Sequence, residues 1–218
     1  KAERSLFSIS QEYLHQYFVA IRNVLESAFD RMEALHKNPG EIRGVASGLK
    51  SLDDKLSGFQ ESNLIILAAR PSVGKTSLAL NIAQYAAVEK KIPVALFSLE
   101  TSKEQLVDRI LSNQADVDAW RITTGRLEED DFRRIGEAMG VLAETPIYID
   151  DTPGINVMEI RTKARRLQME QDIKLIIVDY LQLCHGQNTE NRVQEVSEIS
   201  QSLKNLAREL HVPVLALS

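Results

Sequence analysis

Three groups of residues in this chain could together handle a phosphate. The first is Ala69-Arg-Pro-Ser-Val-Gly-Lys-Thr76, which follows the phosphate-cradling pattern Gly-x-x-x-x-Gly-Lys-Ser/Thr except at its first position. In that pattern, backbone N–H groups and a helix N-terminus face phosphate oxygens. Gly74 lets the backbone approach without a Cβ, Lys75 supplies a point charge for the β- and γ-phosphates, and Thr76 offers a hydroxyl to Mg2+. Arg70, Pro71, Ser72, Val73 and Ser77 complete the expected ATP-binding set. The second group is Lys174-Leu-Ile-Ile-Val-Asp179, an apolar run ending in a carboxylate. An Asp at the carboxyl end of a buried strand lies where α/β proteins place their ligands, so Asp179 is expected to hold Mg2+ with Thr76. The third is Glu100, which closes Leu96-Phe-Ser-Leu-Glu100. A carboxylate there can polarise a water that attacks a γ-phosphate. Alone it reads slightly better as a solvated turn residue; beside the other two groups it reads as the catalytic base.

These groups need strands and helices to position them. Leu64–Ala69 is a continuous apolar run, as expected for a parallel strand buried on both faces, and a helix is predicted from Lys75 to about Glu89. Further strands are predicted at Val94–Ser98, Ile147–Asp150, Leu175–Asp179 and Val212–Leu217. Helices fill the gaps. One starts at Ser102 with Gln105 in the capping-box position, one covers about 128–143, one starts at Asn156 with Glu159 in the box, and one spans Val193–Leu210. This alternation implies an α/β fold with a mostly parallel sheet between helices. Before it, residues 8–36 carry apolar side chains at spacings of four and three, which predicts one long amphipathic helix ended by Pro39-Gly40. That helix could pack on its own domain or link to a neighbouring subunit. The predicted division is therefore 1–40, a helical linker region, and 41–218, a nucleotide-binding domain.

The bulk numbers fit one such domain: 218 residues, 44% hydrophobic and 26% charged. No apolar stretch is long enough to span a bilayer, and the first residues lack the apolar core of a signal peptide. The single cysteine, Cys184, fits a reducing, cytoplasmic setting. A net charge of −5 argues against a uniformly basic nucleic-acid binder and leaves local basic loops open. The absence of an initial Met, and an end inside an apolar run, suggest a piece of a longer protein.

Taken together, Ala68-Ala-Arg-Pro-Ser-Val-Gly-Lys-Thr76, Phe97-Ser-Leu-Glu100 and Val178-Asp-Tyr-Leu-Gln182 resemble the RecA-like motor domain of DnaB-type replicative DNA helicases. The segments Gly44–Asp53, Glu190–Ser200 and Leu206–Ser218 are also similar to that family, and the first helix looks like its linker helix. The resemblance implies a RecA-like P-loop NTPase that hydrolyses ATP with Mg2+, forms hexameric rings around single-stranded DNA, and works with a helicase loader and primase. It places Glu100 as the catalytic glutamate and Arg109 near the nucleotide phosphates, although Arg109 also reads as a surface residue of an amphipathic helix. Gln182 would be a neighbour of Asp179 rather than a ligand. Two departures, Thr101 after the glutamate and Ser62-Asn63 before the first strand, are conservative in role. The family's γ-phosphate-sensing glutamine, arginine finger and main DNA-contacting loop are expected beyond Ser218. Two rivals remain: a RecA- or RadA-type recombinase ATPase, which Arg70-Pro-Ser and Asp179-Tyr-Leu-Gln disfavour, and a nucleotide-binding assembly or loader-docking module without turnover.

Weaker signals add little. Arg161, Lys163, Arg165 and Arg166 form a basic cluster on a predicted helix, with Glu159 and Glu170 in pairing range. This reads as a solvated face or a subunit contact before a DNA contact. The polar stretch Cys184–Arg192 follows the second motif, and Arg192 is the one candidate there for a DNA phosphate. Trp120 and the aromatics of the first helix read as core or interface residues.

Overall fold

The computed structural model describes residues 19–37, 40, 42–70, 72–179 and 192–218. The chain divides into two compact units, Lys1–Glu41 and Ile42–Ser218. In the first, the described helix is α1, Arg22–Lys37, whose side chains Val24, Leu25, Phe29 and Met32 are exposed. The amino-terminal part of the predicted helix lies outside the described residues.

The second unit is built from α2 (Lys50–Leu56), β1 (Leu64–Leu67), α3 (Lys75–Gln84), β2 (Val94–Ser98), α4 (Lys103–Ala115), α5 (Ala119–Thr124), α6 (Glu129–Ala143), β3 (Ile147–Asp150), α7 (Val157–Gln171), β4 (Leu175–Asp179), α8 (Arg192–Leu210) and β5 (Val214–Leu217). A five-residue π-helical turn, Tyr85–Glu89, extends α3. The five strands form one parallel sheet in the order β1-β5-β4-β2-β3. The chain thus leaves β1 and re-enters the sheet at β2, three positions away, and β4 and β5 later fill the gap.

Side chains alternate across each strand, and both faces are buried. Leu96, Leu175, Ile177, Leu215 and Leu217 pack with Leu80 and Ala83 of α3 and Leu106 and Ile110 of α4. Ala95, Phe97, Ile176, Val178, Val214 and Ala216 pack on the other face with Ile160 and Ala164 of α7 and Leu203 and Leu206 of α8. The result is a three-layer α/β domain, with all strands ending at one edge.

Local signals set the helix starts. Ser102 caps α4 by accepting from Gln105 N–H at 3.5 Å. Asn156 and Glu159 form a reciprocal capping box on α7. The approach to β1 was not expected to be helical. It holds α2, whose Asp53 is buried and accepts from Ser47 N–H at 2.8 Å. The short helix α5 was likewise not expected.

Candidate nucleotide site

The loop between β1 and α3 turns through left-handed backbone at Ser72 (φ 65°) and Gly74 (φ 97°). Glycine adopts that conformation without strain, and a Cβ built on Gly74 would meet nothing within 4 Å. The space over the loop is therefore open. Gly74 is also the N-cap of α3 and makes no side-chain capping bond. A helix N-terminus opening on such a loop is where α/β proteins bind anions.

A cleft of about 600 Å³ opens over this loop. Of the residues expected at a nucleotide site, Arg70, Ser72, Gly74, Lys75, Thr76, Ser77, Glu100 and Arg109 line it. Val73 is 71% exposed on the loop and does not line the cleft; Pro71 lies outside the described residues. The cleft gains two residues that pattern reading missed, Thr101 and Ser218. Ser218 follows β5, the neighbour of β1: Ser218 N–H donates to Leu67 O at 3.0 Å and Ala69 N–H to Ser218 O at 3.1 Å. The strand predicted at Val212–Leu217 was the available signal; its pairing with β1 comes from the structure.

Asp179 ends β4 and is 1% exposed. The Thr76 hydroxyl donates to its Oδ2 at 2.7 Å, and its buried Oδ1 has no hydrogen-bond partner. Burial pushes the carboxyl above the ordinary aspartate range, and Glu100 adds to this. The Thr76 hydrogen bond and the nearby Lys75 and Arg109 charges oppose it. An unpartnered buried carboxylate oxygen next to a hydroxyl, beside a phosphate cradle, fits a hard divalent cation that completes its shell with phosphate oxygens and water. Among the described residues there is no cluster of three His, Cys, Asp or Glu that would hold a metal by itself.

Residues 44–218 match the family described as DnaB-like helicase C terminal domain. The chain belongs to that family. It is 50% identical to the replicative DNA helicase DnaB of Geobacillus stearothermophilus and 49% identical to the replicative DNA helicase DnaC of Bacillus subtilis (strain 168), in each case over 100% of this chain and 48% of the relative. The chain thus spans about half the length of the curated relatives it matches. Among solved structures, the ATPase domain of G40P superposes with a TM-score of 0.86 at 31% identity, covering 93% of this chain and 72% of that one. A DnaB-like replicative helicase, described together with its interactions with primase, superposes at 0.83 and 31% identity, covering 100% of this chain and 52% of the other. The fold is that of a RecA-like ATPase domain.

The basic cluster on α7 is fully engaged within the domain. Arg161 pairs with Glu209 at 2.6 Å, Arg165 pairs with the same carboxylate, Lys163 with Asp150 at 2.6 Å and Arg166 with Glu170 at 2.7 Å. Glu159, in pairing range of this cluster, accepts from the Asn156 N–H in the expected capping box. Arg192 opens α8, but its side chain, like Gln182, Cys184 and the rest of residues 180–191, lies outside the described residues. Trp120 is 55% exposed rather than core, with the Arg126 guanidinium 5.0 Å from its ring centre. No helix among the described residues is long and apolar enough to cross a membrane.

Proposed function

We propose that this chain is the ATP-hydrolysing motor of a replicative DNA helicase, using ATP to translocate on single-stranded DNA and unwind duplex. What carries the reading is one cleft that gathers Lys75, Thr76, Glu100 and Arg109 beside the buried Asp179. The half-identity to replicative helicases over the whole chain supports it.

In the proposed chemistry, the amides of the Ser72–Gly74 loop and the Lys75 ammonium bind the β- and γ-phosphates of ATP. Thr76 and Asp179 hold Mg2+, which when bound offsets the negative charge of those phosphates. Glu100 orients a water and accepts its proton. As the water oxygen bonds to the γ-phosphorus, the bond from that phosphorus to the β–γ bridging oxygen breaks, and ADP and phosphate are released. Arg109 adds positive charge to the cleft.

The remaining parts of the proposal come from the family. They are a hexameric ring around single-stranded DNA, a cytoplasmic, nucleoid-associated setting, the helix of residues 1–40 as a linker, Arg192 as a DNA contact, and a helicase loader and primase as partners. The test is ATP hydrolysis by the full-length protein with and without single-stranded DNA, beside Glu100→Gln. DNA-stimulated turnover that falls by ~10²–10⁴-fold in the variant supports motor and base together. A directional unwinding assay then separates a helicase from a recombinase. ATP binding without DNA-stimulated turnover would move the reading to an assembly module.

A further inference from the structure

The turn that carries Glu100 is held by one buried hydroxyl. Ser98 ends β2, is 1% exposed, and lies in register with Asp179. Its Oγ donates to the Thr101 carbonyl at 2.7 Å and accepts from the Thr101 N–H at 3.3 Å. On the other side, the Leu99 N–H donates to the Asp179 carbonyl at 2.6 Å. Residues 98–101 thus close into a short turn with Glu100 near its tip. One end is fixed to the strand that ends in Asp179, and the other to the Ser98 side chain. By the alternation of β2, Ser98 faces the same side as Leu96, the side on which α3 and its phosphate loop lie.

We propose that Ser98 is a positioning residue for hydrolysis, fixing the turn that aims the Glu100 carboxylate at the attacking water. This rests on the reading of Glu100 as the base. Both Ser98 bonds go to backbone of the residue after Glu100, so losing them frees the turn without removing any group from the cleft. Reacting groups misplaced by about 1 Å lose up to ~100-fold in rate, so a loosened turn is expected to cost roughly 10-fold. A hydroxyl that merely satisfies the end of a strand would lower stability and leave the chemical step alone.

The experiment compares Ser98→Ala, Ser98→Thr and Glu100→Gln, and the Ser98→Ala/Glu100→Gln double variant, in the full-length protein. It reads steady-state kcat and KM, nucleotide affinity, and single-turnover hydrolysis for the slow variants. The expected result is a ~10-fold fall in kcat for Ser98→Ala, with affinity within about twofold, and recovery of most of the rate in Ser98→Thr. In the Glu100→Gln background, Ser98→Ala is expected to cause no further loss, because the group it positions is already gone. An unchanged kcat in Ser98→Ala, or the same fractional loss with Glu100 absent, would overturn the role of Ser98 and leave the base assignment standing. Full turnover in Glu100→Gln would remove the base assignment and this inference with it. Should Ser98→Ala not fold, the near-isosteric Ser98→Cys carries the same measurement.

Discussion

The Thr76 hydroxyl and the Asp179 carboxylate, 103 positions apart in the chain, meet in a 2.7 Å hydrogen bond beside the cleft that Thr76 lines. Each side chain has a ligand role in the proposed chemistry, and the Thr76 hydroxyl is the donor to Asp179 Oδ2. Thr76→Val keeps the shape and removes the donor, which leaves Asp179 buried with no partner on either oxygen. The expected cost is about 1–3 kcal/mol of stability in the nucleotide-free protein. Mg2+-dependent ATP affinity should fall as well. Urea denaturation and nucleotide titration with and without Mg2+ measure the two effects separately.

Asp179 also predicts a pH dependence. Its pKa is raised in the fold chiefly by burial, so the folded state favours the protonated form more than the unfolded state does. Its contribution to stability is therefore largest below the ordinary aspartate value of 3.8 and is lost as pH rises through the raised, folded value. Relative to Asp179→Asn, which cannot titrate, the nucleotide-free protein should gain stability as pH falls from neutrality toward 3.8. Saturating Mg-ATP should abolish that gain, since a bound cation favours the ionised carboxylate. Melting temperatures of both proteins against pH, with and without nucleotide, check the sign. A difference that does not change with pH would show that Asp179 is not held in a raised state.

Strand positions were legible because continuous apolar runs have one good solution in a parallel sheet. Val94–Ser98, Ile147–Asp150 and Leu175–Asp179 stand where their sequences place them. The predicted strand over 212–217 begins at Val214, because Pro213 has no N–H to give to a ladder. The predicted helix over 75–89 changes to a π-helical turn at Tyr85, which no periodicity at this length signals. The seven-residue α2 was illegible because so short a helix is not stable by itself and leans on bonds from outside it, such as Ser47 to Asp53. At the site, Arg70, Ser72, Gly74, Lys75, Thr76 and Glu100 line the cleft from recognisable motifs, whereas Thr101 and Ser218 line it from outside them. The Ser98 clamp was not legible, since its bonds to Thr101 lie at a strand end, outside any helix-capping pattern. The partner of Arg161 and Arg165 was equally hidden: Glu209 comes from α8, beyond any helix-neighbour rule.

A buried ion pair ties α5 to α6. Asp131 is 5% exposed, accepts from the Glu128 N–H at 2.9 Å as part of the capping box of α6, and pairs with the Arg121 guanidinium at 2.8 Å. Removing one partner of a buried pair leaves an uncompensated charge, which typically costs ~3–5 kcal/mol. Here Asp131 keeps its backbone bond and Arg121 is partly exposed. Arg121→Ala is therefore expected to cost about 2 kcal/mol, below that range. Arg133→Ala removes only exposed pairs to Asp130 and Glu137 and should cost no more than about 1 kcal/mol. Denaturant midpoints of the two variants test the ordering, and equal costs would mean that the Arg121 pair is not effectively buried.

The glycines offer a contrast of opposite sign within one domain. A Cβ on Gly44 would lie 2.2 Å from the Phe59 carbonyl oxygen, where Val45 and Phe59 exchange bonds of 2.9 and 2.8 Å in an antiparallel bridge. Backbone cannot yield there without losing that bridge, so Gly44→Ala should destabilise by at least the ~1–3 kcal/mol of overpacking. Gly136 and Gly140 lie within α6, and a Cβ on either meets nothing within 4 Å. Alanine loses less backbone entropy in a helix than glycine, so Gly136→Ala and Gly140→Ala should each stabilise by ~0.5–1 kcal/mol. Thermal midpoints should then move down for the first variant and up by ~2–4 °C per kcal/mol for the other two. A downward shift in both helix variants would mean that α6 uses its glycines for close approach to something beyond this domain.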